Sequence, residues 1–314
     1  MNLAGFVTRS IALPAGLACA AAALLAQGGR FSGHLDVLAH FAPLYLLGGT
    51  IVLALAPLDR RPRRLALIGA SAALASFALM APELLSAVKT SAPPSAPPPA
   101  HAVKLVQFNA GRDSHNLEAR IRWLRQEDPD VLVVEDSRPV FQTMVVERLG
   151  RRQSCGMTCE ISIFTREAPL KIESPRRGRI GLGPAVAVAH LQGPAGPYAV
   201  VGTHYAWPTA VTIHRENGRR MQEILKPLPA RTTILMGDFN STPWSFARRR
   251  DDRAFGLERR TRALPTWPAN GMFGLAFLPI DHVYAGAGWR TVSVTRGPRL
   301  GSDHYPVVVT LAPR

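Results

Sequence analysis

The chain has 314 residues, enough for one large domain with an anchor or for two small domains. It carries 37 Lys and Arg against 22 Asp and Glu, and 47% of its residues are hydrophobic. A protein of uniform character is excluded, because residues 1–101 hold only 7 basic and 3 acidic residues and residues 102–314 hold the other 30 and 19. The basic excess of the second part is nearly all Arg. Such an excess of Arg is typical of a solvated surface, or of a protein that binds a polyanionic substrate or an anionic membrane.

The chain begins with three apolar stretches, at residues 11–27, 35–58 and 65–88. Each is about long enough to span a bilayer, although Pro82 and Glu83 interrupt the third. A cleavable signal peptide has one short apolar core, and a soluble helical bundle needs charged faces that these stretches lack. The pattern therefore predicts three retained transmembrane helices.

Basic residues in the loops predict the orientation of these helices. The second loop contains Arg60, Arg61, Arg63 and Arg64, and such a cluster beside a membrane stays in the cytoplasm. The amino terminus is then inside the cell, and all residues after 88 lie outside, in the periplasm of a bacterial inner membrane. The predicted organisation is an anchor over residues 1–89, a Pro-rich spacer over 90–101 and a soluble domain over 102–314.

Two cysteines of the soluble part, Cys155 and Cys159, are separated by three residues. Such a spacing resembles half of a zinc site, but no second cysteine pair completes it. In the predicted oxidising compartment a small disulfide loop is favoured over free thiols.

Strands and helices alternate after residue 102. Asn116 is expected to cap a helix that ends at Asp128-Pro129, and further helices are predicted over 212–225 and after Pro243. The all-apolar run 131–134 is typical of a strand in a sheet that is covered on both faces. Nine strands are predicted, over 103–108, 131–134, 160–164, 185–191, 198–203, 232–236, 280–284, 289–294 and 306–311. They indicate two packed sheets with helices outside them.

Polar residues gather where these predicted strands end or begin. At least three of the carboxylates, two amides and two or three histidines could converge there, since open α/β sheets place their sites at strand ends. This set suits a hard divalent cation with oxygen ligands, together with acid–base groups for attack on phosphorus. The positions concerned are Asn109, Glu135, Asp136, His204, Asp238, Asn240, Asp281, His282, Asp303 and His304.

The motifs at these positions resemble the endonuclease/exonuclease/phosphatase superfamily, which has a deoxyribonuclease-like fold. Gly237-Asp238-Phe239-Asn240 and the run from Ser302 to Val307 match its two most diagnostic motifs, and Thr203-His204 and the run 280–283 match two more in the same order. The resemblance covers residues 103–312 and implies a four-layer α/β sandwich of two mixed β-sheets flanked by helices. Residues 240–245 and 266–268 also resemble a membrane-anchored bacterial branch of this superfamily.

The resemblance implies a site for Mg²⁺ or Mn²⁺. Its ligands, directly or through water, would be Asn109, Asp303 and one acid of the pair Glu135-Asp136. The alignment register favours Asp136, whereas the shorter reach of Asp leaves Glu135 open. Gly111 stands where some relatives have a second acid, which favours one metal ion over two.

The resemblance also implies the catalytic groups. Asp238 would orient or deprotonate the attacking water, and Asn240 would bond the phosphate. His304, oriented by Asp281, would stabilise the pentavalent phosphorane, and His204 would bind the phosphate or protonate the leaving oxygen.

Each of these residues also has a purely structural interpretation. Asn109 or Asp238 could form a turn, His204 and His304 could be satisfied loop histidines, and His282 is expected to be structural because it alternates with Asp281 along a strand. The runs 176–179 and 248–250, rich in Arg, are interpreted as solvated faces.

Together these features predict a hydrolase of phosphodiester bonds, with extracellular nucleic acid as the first candidate substrate. The alternatives are a phospholipid phosphodiesterase or phosphatase on the same fold, or a catalytically inactive binding module. The expected partners are the phosphodiester substrate and the lipid bilayer; no protein partner is predicted.

Overall fold

A computed structural model describes residues 6, 8–90, 101–112, 116–156, 159–178 and 181–314. Most of the predicted Pro-rich spacer, residues 91–100, and Arg179 lie outside the described residues. The chain forms two compact units, one of residues Met1–Thr90 with Ser241–Arg250, the other of Ser91–Asn240 with Asp251–Arg314. Each is described separately below.

Before residue 91, the described residues of the first unit form four α-helices, namely α1 (Leu13–Ala26), α2 (Gly33–Ala39), α3 (Ala42–Leu55) and α4 (Pro62–Thr90). The continuous helical runs Thr8–Arg30 and Pro62–Ala87 are long and apolar enough to cross a membrane. The helices Gly33–Ala39 and Ala42–Leu58 are bent by 56° and together make a third span if the pair is counted as one. By length and composition, then, the described residues offer two or three spans where the sequence predicted three.

Small residues allow α3 and α4 to pack closely. A Cβ atom added to Gly49 would lie 2.7 Å from the backbone N of Ala73, and one added to Gly69 would lie 2.7 Å from the backbone N of Leu53. Helices that associate in lipid use such positions, because packing contacts rather than water exclusion drive their association.

The described residues of the second unit form twelve strands in two six-stranded sheets. Their bounds are β1 (Val103–Asn109), β2 (Val131–Glu135), β3 (Arg152–Cys155), β4 (Ile161–Thr165), β5 (Lys171–Glu173), β6 (Ala185–Gly193), β7 (Gly196–His204), β8 (Thr233–Asp238), β9 (Glu258–Arg259), β10 (Asp281–Ala285), β11 (Trp289–Arg296) and β12 (Val307–Pro313). One sheet has the order β11-β12-β1-β2-β4-β3 and the other β5-β6-β7-β8-β10-β9. Each sheet has one parallel pair, β1 with β2 and β7 with β8, among antiparallel pairs.

The sheets pack face to face, and helices cover their outer faces. Alternate residues of the strands, among them Leu105, Val133 and Met236, form the core between the sheets. The outer face of the first sheet packs on α5 (Leu117–Glu127) and α6 (Pro139–Leu149), and that of the second on α7 (Val211–Leu225). This is the predicted four-layer α/β sandwich. The last α-helix of the described residues, α8 (Phe246–Ala254), follows Pro243 as expected.

All nine predicted strands are present, each with its ends moved by no more than a few residues. The short strands β3, β5 and β9 and the helix α6 were not predicted. Asn116 precedes α5 as expected, but it has a φ of 63° and its side chain makes no capping hydrogen bond. The prediction of a capped start was therefore wrong, because a left-handed residue directs its side chain away from the first turn.

The interpretation of residues 248–250 as a solvated face was also wrong. Arg248 is fully buried, and the guanidinium of Arg249 donates to the backbone carbonyl of Leu79, within the first unit. Only Arg250 is exposed.

Cys155 and Cys159 form a disulfide, as the sequence predicted. We expect intact-mass measurement of the periplasmically expressed, unreduced protein, alkylated under denaturing conditions, to find one labelled thiol, that of Cys19. The bridge closes a small loop, so its removal should cost at most about 2 kcal/mol. Three labelled thiols would contradict the bridge.

Candidate active site

Strand pairing brings the predicted site residues to one edge of the sandwich. In the first sheet Asn109 pairs with Glu135, where parallel β1 and β2 end together. In the second sheet Asp238 pairs with His204 on parallel β7 and with Asp281 on antiparallel β10. These polar side chains lie on the strand faces that point between the two sheets. Farther along the same faces, the side chains are apolar and form the core.

Gly237 permits the close pairing beside Asp238. A Cβ atom at this position would lie 1.9 Å from the carbonyl oxygen of Thr203. Any side chain would therefore push β7 and β8 apart, which explains why a glycine precedes the aspartate.

Asp238 is the central carboxylate of the cluster, with only 1% of its side chain exposed. Its Oδ2 accepts a hydrogen bond from Asn109 Nδ2 at 3.0 Å, and its Oδ1 accepts one from the backbone N–H of Asn240 at 2.8 Å. The Nε2 atoms of His204 and His304 lie 3.5 Å and 3.7 Å from the same Oδ2. Burial raises the pKa of Asp238, against the opposing effect of His304.

His304 and Asp281 form a buried imidazole–carboxylate pair, with Nδ1 and Oδ2 2.9 Å apart. Burial disfavours the imidazolium, but the charges of Asp281 and Asp238 outweigh it and raise the pKa of His304 to about 10. The pKa of Asp281 is lowered, because His304 offsets the cost of its burial. His304 is therefore held protonated, with its Nε2 on the side of Asp238.

Asn240 completes this part of the site. Its Nδ2 donates to the carbonyl of Tyr205 at 3.0 Å and lies 3.4 Å from His204 Nε2. The backbone of Asn240 is left-handed, with a φ of 49°, a conformation that asparagine tolerates better than most residues.

A sequence model described as the Endonuclease/Exonuclease/phosphatase family matches residues 106–304, more than half of the chain. The chain belongs to this family. The activities in the family's name all hydrolyse phosphoester bonds. No curated protein matches the chain with significance.

Several solved structures share the fold. An endonuclease/exonuclease/phosphatase from Bacteroides vulgatus is 15% identical over 68% of this chain and 99% of that chain, with a TM-score of 0.56. D. rerio TDP2 in complex with a single strand DNA product is 16% identical over 67% and 98%, with a TM-score of 0.54. A mannosyl-6-phosphatase from Bacteroides thetaiotaomicron is 16% identical over 67% and 99%, with a TM-score of 0.52. At these identities the likeness concerns the fold alone.

The structure brings Glu135, rather than Asp136, into the buried cluster of this family member. Glu135 is fully buried, and its Oε2 accepts a hydrogen bond from Gln107 Nε2 at 3.0 Å. Asp136 instead pairs with the exposed Arg112 at 2.7 Å. The preference for Asp136 came from the alignment register alone, whereas in the structure β2 ends at Glu135 and Asp136 has a φ of 50°. The register argument therefore fails at this residue.

The donor set fits a divalent cation. Burial and the charges of Asp281 and Asp238 raise the pKa of Glu135 well above its usual range, and its Oε1 has no hydrogen-bond partner among the described residues. Ligand atoms of Asp238, Asp281 and His304 lie within 4.8 Å of one another and could also hold a metal. His304 is a poor ligand, because its Nδ1 is already engaged by Asp281. The oxygen of Glu135 that lacks a partner among the described residues is a better candidate ligand than His304.

Two supporting residues were not identified from the sequence as part of the site. Gln107 joins the two sheets, since its Nε2 donates both to Glu135 and, at 2.8 Å, to Asp281 Oδ1. Trp267, noted only as a mark of one branch, donates from Nε1 to Asp303 Oδ2 at 3.1 Å. The position of Gln107, two residues before Asn109 on the same strand face, is the signal that could have revealed it.

His282 lies outside the cluster, as expected. It is fully buried and packs on the opposite side of β10, with its ring centre 5.7 Å from that of Phe239 and its Nδ1 3.4 Å from Thr261 Oγ1.

Proposed function

We propose that the protein is a membrane-anchored, divalent-metal-dependent phosphodiester hydrolase whose catalytic domain faces the periplasm. The observation that carries this proposal is the buried cluster in which Asp238 is held by Asn109 and Asn240 beside the imidazolium of His304. An inactive binding module has no need for such a cluster, since burying several carboxylates costs stability.

The residues of the cluster divide the chemistry among them. Asp238 accepts a proton from the attacking water and orients it, because its carboxylate is fixed from both sides. His304 donates from Nε2 to a phosphate oxygen and stabilises the charge that develops on it, while Asp281 holds the ring. Asn240 bonds a second phosphate oxygen through its amide, and His204 binds the phosphate or protonates the leaving oxygen.

Glu135, Asn109 and Asp303 would hold the cation, with Mg²⁺ or Mn²⁺ the ions that suit oxygen ligands. When bound, it supplies positive charge to the phosphate oxygens. Gln107 and Trp267 would orient two of these carboxylates through the hydrogen bonds described above.

Nucleic acid is the first substrate that we propose, supported by the basic excess of residues 102–314. Phospholipid headgroups are the second candidate, supported by the apolar helices that would keep the domain near a bilayer.

Purified full-length protein should be assayed with Mg²⁺ and Mn²⁺ on DNA, RNA, phospholipid vesicles and simple phosphate mono- and diesters. We expect diester cleavage that Asp238→Asn removes. Absence of turnover on the whole panel would contradict the proposal.

The proposed orientation predicts the behaviour of reporter fusions. A reporter fused after residue 100 should be active only if it is of a periplasmic type, and one fused near residue 62 only if it is of a cytoplasmic type, because Arg60, Arg61, Arg63 and Arg64 hold the second loop inside. The opposite pattern would reverse the topology.

A further inference from the structure

The segment Ser241–Arg250 follows Asn240 directly in the sequence, yet it belongs to the compact unit of the anchor helices. Its first part is deeply buried there, since Ser241, Thr242 and Ser245 are fully enclosed. Nothing in the sequence pattern indicated this, because the segment was assigned to the soluble domain with its neighbours.

Asp36, in the first turn of α2 and near the start of the second apolar stretch, holds the start of α8. Its carboxylate accepts hydrogen bonds from the backbone N–H groups of Phe246, at 2.7 Å to Oδ1, and Ala247, at 2.8 Å to Oδ2. Only 4% of Asp36 is exposed. The N–H groups in the first turn of a helix have no partner within the helix. A carboxylate satisfies them by accepting their hydrogen bonds, and it stabilises the helix through the helix dipole. A buried acid in an apolar anchor is costly, so this pairing explains its presence.

His40 holds the other end of the segment. Its Nδ1 lies 3.1 Å from the backbone N–H of Thr242 and 3.0 Å from Thr242 Oγ1, so it accepts from the backbone and carries its own proton on Nε2. The indole N–H of Trp244 donates to the carbonyl of His40 at 3.4 Å.

The contact leaves no spare room. A Cβ atom on Gly29 would lie 2.7 Å from Cδ2 of Phe246 and 2.8 Å from Cα of Asp36. The segment is therefore held at a fixed place on the anchor helices, which we call its seat. The seat consists of the polar residues Asp36 and His40 and of Gly29, which allows close approach.

We propose that Asp36 and His40 are positioning residues for the catalytic site, acting through residues 241–247 on Asn240. One peptide bond joins Asn240 to the seated segment, and the Asn240 backbone is already held in a left-handed conformation by Asp238 Oδ1. Fixing the chain immediately after Asn240 fixes where its amide meets phosphate. The anchor would thus be a part of the enzyme as well as its attachment to the membrane. This inference rests on the proposed function.

The kinetic test is a double-mutant cycle on the full-length protein in nanodiscs. We expect Asp36→Ala to lower kcat by about 10- to 100-fold, with KM changed less than about twofold, since small misplacements of a catalytic group have effects of that size. In the Asn240→Ala background the same change should have an effect below about twofold, because the group that it positions is gone. The matched control is Ser76→Ala, because Ser76 is also a fully buried polar residue of the anchor. Its hydroxyl donates to the carbonyl of Ala72 within α4, so this substitution should leave kcat unchanged. An unchanged kcat in Asp36→Ala, or an equal loss in both backgrounds, would overturn the proposal.

Amide hydrogen exchange tests the same coupling without any substrate, so it separates a failure of this inference from a failure of the proposed function. In Asp36→Ala, exchange should accelerate at Phe239 and Asn240 as well as at Phe246 and Ala247, with β1 and β12 unchanged. Should Asp36→Ala fail to fold, His40→Ala carries both tests. Faster exchange at residues 246–247 without any acceleration at 239–240 would show that Asp36 holds the segment but does not affect the catalytic site. This result would overturn the inference.

Discussion

Turnover is expected to fall by about 10²–10³-fold in His304→Ala and in Asp238→Asn, with the fold intact. His304 is held protonated between Asp281 and Asp238, so its loss removes a fixed positive charge from the place where negative charge develops on phosphate. Asp238→Asn keeps the size of the side chain but replaces a proton acceptor by an amide, beside the amide of Asn109. Either change therefore affects the transition state more than substrate binding, and kcat should fall more than KM rises.

A second imidazole–carboxylate pair supplies the control for His304→Ala. On β6, His190 Nε2 lies 2.8 Å from Glu173 Oε1, remote from the strand ends that build the site. His190→Ala should retain full kcat, and circular dichroism should show the same fold for all three variants. A His304→Ala protein with unimpaired turnover would remove His304 from the mechanism.

Glu135→Gln should raise the Mg²⁺ concentration needed for half-maximal activity by at least about tenfold, and Asp136→Asn by less than about twofold. The glutamine has the same shape but loses the charge that would attract the cation, in a place where Oε1 has no other partner. Asp136 engages an exposed arginine, and such surface pairs contribute little.

Thermal unfolding gives a second measurement on the same two variants. Without metal, Glu135→Gln should melt at a higher temperature than the native protein, because one of several mutually repelling buried carboxylates has become neutral. Added Mg²⁺ should stabilise the native protein but not this variant. If Asp136→Asn instead showed the larger Mg²⁺ requirement, the metal ligand would be Asp136 and the register argument would be restored.

The sequence predicted the strands and the convergence of the site because both depend on local patterns. Apolar runs mark the strands, and polar residues directly after them mark the edge where parallel strands end. The sequence thus places Asp238, Asp281 and His304 in one cluster, and in the structure they do meet there.

The choice between Glu135 and Asp136 could not be made in this way, because the run 131–134 is apolar on both faces. Once Val131 and Val133 are seen to face the core between the sheets, alternation assigns Glu135 to the same face. The end of β2 one residue before Asp136 is a backbone property that the sequence does not display.

The seat of residues 241–247 on the anchor was not predictable for a different reason. Asp36 and Phe246 are separated by 210 positions, and their contact is through backbone N–H groups that carry no sequence signature. The buried Arg248 is a related case, since three successive arginines are typical of a solvated face. Long-range polar contacts of this kind become visible only in three dimensions.

Removal of the metal tests most directly whether this site hydrolyses phosphoesters with the help of a divalent cation, as we propose. Full-length protein stripped with EDTA and then dialysed should be inactive on a diester substrate that the native protein cleaves. Activity should return on addition of Mg²⁺ or Mn²⁺. Full turnover by the stripped protein, with no response to either ion, would contradict the account.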